Sequence, residues 1–207
     1  MLIIALFRTA STSLKHSVSN IMGVGRGTYH AGSIYPCCHY PEFSKVTGQV
    51  GHIPKTELQQ LVNDKKTLYK IHLVPCETNM TSLLHTTGKV VILLRDPKEF
   101  LSAMSRWYLS HGSNIIDGFF NQFDVCALQR EAASFIDMYK KCIGNDRFLV
   151  IFFHTLIIAE NQNNYIRAVC NHFDFNLDSD YNKYALAKKN YTGYSDNWIN
   201  KGKKHDK

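Results

Sequence analysis

Apolar runs alternate with helical periodicity along this chain. LIIALF (2–7), TLYKIHLV (67–74), KVVILLR (89–95) and RFLVIFF (147–153) are short, almost unbroken and rich in branched and aromatic residues. That is the pattern of strands buried on both faces. Between and around them, apolar positions recurring every three or four residues predict helices over 12–22, 55–64, 79–87, 97–110, 124–143 and 160–173. The clearest period is in DVCALQREAASFIDMYKKC. Strand–helix alternation of this kind predicts an α/β fold, a central parallel sheet flanked by helices. The stretch 23–51, rich in glycine and tyrosine, holds no sustained period and reads as a long excursion from the sheet on the substrate side. At 207 residues, with no repeat or linker, the chain fits one domain, 1–207.

Composition supports a packed core: 44% of residues are hydrophobic and only 20% charged, which excludes a disordered chain. The formal charge of +7 favours anionic partners, although part of it sits in the basic tail KGKKHDK (201–207). No run approaches the roughly 20 apolar residues of a membrane span, and MLIIALF lacks the basic start and cleavage site of a signal peptide. Six cysteines without regular spacing do not form a secreted disulfide framework, so a reducing, cytoplasmic compartment is expected. His30, Cys37, Cys38 and His39 lie close together, but adjacent cysteines are poor partners on one zinc and no C-x₂-C pair is present. No metal is expected.

Candidate chemistry lies where the strands end. After the first run come Arg8, Thr9, Ala10, Ser11, Thr12 and Ser13. Small residues at a strand-to-helix turn let backbone N–H groups curl around an anion at the positive end of the helix dipole, and the hydroxyls and Arg8 add donors and charge. The same turn also reads as a plain helix cap. In LYKIHLVP, Lys70 and His72 alternate with apolar residues and share one face of a strand. A lysine there can neutralise charge on a leaving oxygen, and a histidine can take a proton from a hydroxyl. In KVVILLRDPKEFLSAMSRW, Arg95 ends a strand, Pro97 opens a helix, and Ser102 lies about two turns further on. Arg95 and Ser102 can converge on one phosphate.

The order of these stretches resembles the sulfotransferases that use 3′-phosphoadenosine 5′-phosphosulfate (PAPS). FRTASTSL is similar to their 5′-phosphosulfate loop in its arginine-bearing form. KIHLVP resembles their lysine-x-histidine-leucine-x-proline stretch, and VVILLRDPKEFLSAMSRW resembles the strand and helix that bind the 3′-phosphate. GYSDNWIN is a fainter echo of their C-terminal cofactor loop. The resemblance implies a P-loop NTPase-like sulfotransferase architecture, PAPS as donor and adenosine 3′,5′-bisphosphate (PAP) as product. It implies His72 as general base and Lys70 and Arg8 on the transferring group. Residues 9–13 would hold the 5′-phosphate, and Arg95 and Ser102 the 3′-phosphate, with Ser105 as substitute. It also implies donor contacts for Trp198, Lys188 and Lys189. The sequence departs from the pattern at Ala10, where a glycine is usual, and in the spacing of the serine after Arg95.

Glu57 and Glu77 are alternative bases. The acceptor, a hydroxyl or amine compound, is not legible. Two other functions compete. A nucleotide kinase or NTPase shares the architecture, but the G-x-x-x-x-G-K-S/T loop is absent. A non-catalytic basic binding module fits the charge, but no RNA-binding motif is present and nucleic acid is not expected.

Overall fold

The structure is a computed structural model that describes residues 1–6, 9–29, 42, 52–110, 124–156 and 158–177. Arg8, His30, Cys37, Cys38, His39, Lys188, Lys189, Trp198, most of the 23–51 excursion and the 201–207 tail lie outside the described residues. The elements run β1 (Leu2–Ala5), α1 (Ser11–Met22), β2 (Gly25–Thr28), α2 (Lys55–Asn63), β3 (Thr67–Ile71) and α3 (Glu77–Leu84). They continue through β4 (Val90–Leu94), α4 (Pro97–Ser110), α5 (Val125–Lys140), β5 (Phe148–Phe152), α6 (Phe153–Leu156) and α7 (Ala159–His172).

The strands form one parallel sheet in the order β2-β3-β1-β4-β5. Two central strands, β1 and β4, are fully buried along their whole length, as their unbroken apolar runs require. Their side chains alternate between two cores. Leu2, Ile4, Leu6, Ile92 and Leu94 join α2, α3, α4 and α5 on one face, whereas Ile3, Ala5, Val91 and Leu93 join α1 and α7 on the other. Within the first core, Phe135 meets Tyr139 edge-on at a centroid distance of 4.8 Å.

The expectation for 23–51 needs one correction. The excursion begins later than its composition suggests, because Gly25–Thr28 forms the edge strand β2, paired with β3. GRGT carries neither apolar alternation nor β-branched residues apart from Thr28, so nothing local marks it as a strand. Gly27 is explained by its neighbour: a Cβ there would fall 2.3 Å from the Tyr69 ring. Predicted strands also end early. β3 ends at Ile71, with Leu73 keeping only an isolated bridge, and Phe153 opens a short helix.

The topology creates a crevice. Chain leaving β1 passes to the α1 face, while chain leaving β3 and β4, its neighbours on either side, passes to the opposite face. Ligands in open α/β sheets bind beyond the carboxyl ends of the strands at such a divergence.

Candidate active site

The turn after β1 is held from inside. Leu6 N–H donates to the Leu93 carbonyl at 3.1 Å, and the buried Thr9 hydroxyl donates back to the Leu6 carbonyl at 2.7 Å. Ala10 then turns the chain in a left-handed conformation, φ 55° and ψ 18°, and its carbonyl accepts the first helical bond from Leu14 N–H at 3.0 Å. The N–H groups of Ser11, Thr12 and Ser13 precede that bond, at the positive end of α1. No side chain caps them from Ala10. Ser11 is buried, whereas Thr12 and Ser13 are exposed at the helix start. The left-handed turn explains why a glycine would suit position 10.

Lys70 near the end of β3 and His72 just beyond it lie side by side, and the structure joins them to the turn. Lys70 Nζ lies 3.2 Å from His72 Nε2 and donates to Thr12 Oγ1 at 3.4 Å. His72 Nδ1 is 2.7 Å from the Ala5 carbonyl. A carbonyl oxygen only accepts, so the ring carries its hydrogen on Nδ1 and presents the Nε2 lone pair to Lys70. The chain just beyond His72 is tied down twice. Tyr139 donates to the Leu73 carbonyl at 2.8 Å, and buried Asn79 donates to the Val74 carbonyl at 2.6 Å while accepting from Ile53 N–H. Neither Tyr139 nor Asn79 carries a motif signal; both are partners from distant sequence.

Arg95 and Ser102 converge as expected. They line one open cavity of about 410 Å³ together with Lys98, Glu99, Arg106 and Phe153. Arg95 is only 8% exposed, its guanidinium 4.0 Å above the Phe153 ring centre and its Nε 3.6 Å from Glu99 Oε2. Arg106 donates to Ser102 Oγ at 2.9 Å, which uses an acceptor lone pair and leaves the serine hydrogen to point elsewhere. Ser105, the substitute, donates instead to the Ser102 carbonyl of its own helix. Asp96 starts that helix by accepting from Lys98 and Glu99 N–H. Three lysine or arginine side chains against one glutamate leave the cavity positive.

Of the alternative bases, Glu57 accepts the Tyr29 hydroxyl, and burial with this carboxylate pushes the Tyr29 pKa up to about 12. Glu77 is exposed in the first turn of α3. A cation absent from the sequence reading is Lys15. It lies on the buried stripe Ser11–Leu14–Lys15–Val18, and its amine donates to the Gly27 carbonyl at 3.1 Å. A lysine inside an otherwise buried stripe was the available signal. Among the described residues no group of three histidine, cysteine or acidic residues is placed to hold a metal, and no helix is long and apolar enough to cross a membrane.

No protein-family model and no curated protein matches this sequence. Solved structures do. A sulfotransferase from Alicyclobacillus acidocaldarius superposes with a TM-score of 0.54 at 12% identity, over 90% of this chain and 89% of that one. Retinol dehydratase in complex with retinol and PAP gives 0.59 at 14% identity, over 96% and 66% of the two chains. This chain has the sulfotransferase fold. Mouse sulfotransferase SULT7A1 in complex with PAP shares it with a TM-score of 0.55 and 11% identity, over 90% of this chain and 62% of the mouse one. The chain thus spans somewhat less than two thirds of the latter two proteins and nearly all of the bacterial one.

Proposed function

We propose that the protein transfers a sulfuryl group from PAPS to a hydroxyl or amine. The observation that carries this reading is the convergence, at the carboxyl ends of three adjacent strands, of an anion-accepting turn, a Lys70–His72 pair and an Arg95–Ser102 cavity. A donor phosphorylated at both ends of its ribose has one phosphate for the turn and one for the cavity. ATP offers nothing for the second.

In this reaction the acceptor oxygen attacks sulfur in line as the bond from sulfur to the bridging oxygen breaks. Its electrons stay with the departing PAP. His72 Nε2 takes the acceptor proton. Lys70 moves its charge from the imidazole to the bridging oxygen, and Thr12 and Ser13 with the first N–H groups of α1 hold the 5′-phosphate. The transition state is loose, so positioning and fixed charge supply most of the acceleration. Arg8 belongs to the transferring group, and Trp198, Lys188 and Lys189 to the donor, on the order of the motifs. A reducing, cytoplasmic setting belongs to the same reading.

Thermal unfolding of the full chain with PAP, AMP and ATP tests it. PAP raises the midpoint well above either competitor, because a ligand at 100 times its Kd stabilises by about 2.7 kcal/mol. Equal shifts with magnesium-ATP would overturn the assignment in favour of a kinase or NTPase.

A further inference from the structure

The Arg95–Ser102 cavity contains an anion of the chain itself. Glu99 lies four residues beyond Arg95, in the first turn of α4, and its Oε2 is 3.6 Å from Arg95 Nε. Both side chains line the same open space, together with Lys98, Ser102 and Arg106. A phosphate entering it meets this carboxylate at the guanidinium it is to bind.

Two ordinary reasons for an acid at this position carry little weight here. The positive end of α4 already has Asp96, whose carboxylate accepts from the Lys98 and Glu99 N–H groups. An ion pair four residues apart with one exposed member adds little to stability, and the Glu99 side chain is 48% exposed. Its effect on an anionic ligand is more definite, because like charges brought face to face lower affinity. The same exposure gives the carboxylate a path into solvent, whereas Arg95 is packed on the Phe153 ring at 4.0 Å. Of the two, Glu99 is the one that can move aside.

We propose that Glu99 is a built-in competitor for the donor's 3′-phosphate, which yields Arg95 when the nucleotide binds and reclaims it as PAP leaves. This rests on the sulfuryl-transfer reading. PAPS and PAP carry the same 3′-phosphate, so the chemistry at sulfur does nothing to loosen that end of the product. Release there has to be driven by the cavity, and product release limits turnover in many enzymes. A carboxylate that returns to the guanidinium speeds departure at the end of the nucleotide that the reaction leaves unchanged. AMP, which has no phosphate for this cavity, leaves the Glu99–Arg95 pair undisturbed.

Titration calorimetry and stopped-flow displacement of PAP from the full chain test this with two variants. Glu99→Gln keeps the side-chain length and removes the charge. Asp137→Asn makes the same change in net charge on α5, where Asp137 pairs with Lys140 and neither lines the cavity. Glu99→Gln is expected to bind PAP about three- to fivefold more tightly through slower dissociation, and AMP within about twofold of the parent. Asp137→Asn is expected to match the parent with both nucleotides. Unchanged or weaker PAP binding in Glu99→Gln would overturn the proposal, and so would an equal gain in Asp137→Asn, the mark of diffuse charge attraction. If the parent prefers PAP to AMP and Glu99→Gln changes nothing, the competitor falls and the transfer reading stands. A parent that prefers AMP or ATP to PAP removes both.

Discussion

Lys70 Nζ sits 3.2 Å from the Nε2 of His72, the nitrogen left with a lone pair once Nδ1 donates to the Ala5 carbonyl. The lysine thus covers that lone pair. An incoming sulfuryl donor, by attracting Lys70 to its bridging oxygen, would uncover the imidazole as the acceptor arrives. In the proposed reaction, donor binding and base activation would become one event. His72→Ala is expected to cut the rate of PAP release from PAPS by about 10²–10⁴ while PAP affinity by calorimetry changes little. Full turnover in that variant would remove His72 from the chemistry.

Arg95 contributes a charge already desolvated by its burial and by the Phe153 ring. A charge-assisted hydrogen bond lost from such a setting costs about 1.5–3 kcal/mol. Arg95→Ala is therefore expected to weaken PAP by about 10–100-fold and leave the much weaker AMP unaffected. Titration calorimetry with the two nucleotides distinguishes this from a general loss of structure, which would weaken both.

Ala10 holds a left-handed conformation that L side chains other than asparagine and aspartate rarely adopt. Ala10→Gly relieves the steric clash at some cost in backbone entropy, with an expected net gain of about 0.5–1 kcal/mol. Thermal unfolding checks the sign. A branched residue, as in Ala10→Val, is expected to lower the midpoint and loosen the turn.

His172 ties α7 to the sheet, its Nε2 lying 3.1 Å from the Val90 carbonyl and 3.2 Å from that of Arg147. Burial, its largest influence, and the Lys89 charge lower its pKa, although the two carbonyls and Asp174 oppose the change. The unfolded chain then binds more protons than the native one between the lowered value and the ordinary 6.5, so stability rises with pH through that window and is lost as pH falls through it, with no further change from this group below. Urea midpoints measured from pH 7 downward should show the decline. His172→Gln, which retains an amide donor without titrating, should flatten it.

What could be read from the sequence follows the reach of each physical signal. Apolar runs marked β1, β3, β4 and β5, most plainly β1 and β4, whose burial on both faces leaves no polar residue among them. Strand alternation placed Lys70 and His72 together, and helical spacing brought Ser102 to Arg95. Gly25–Thr28 escaped because an edge strand facing a tyrosine ring needs glycine, the residue least suggestive of a strand. Tyr139, Asn79 and Phe153 escaped for another reason: each supports the site through a contact 66, 26 or 58 positions away, and one-dimensional spacing says nothing about such pairs. Arg106 lies four residues from Ser102 and was within reach of a helical count.

Gly27 gives the β2 edge an unusual vulnerability. Any methyl group there collides with the Tyr69 ring, and Tyr69 is itself tethered through its hydroxyl to Asp64 at 3.0 Å, so the ring has little room to retreat. Even alanine would have to prise the outermost strand from its neighbour, taking with it the carbonyl on which the Lys15 amine rests. The seating of Lys15 on that flank is in this sense keyed by a missing side chain, and a single added carbon atom would unsettle both the strand and the helix it ties together.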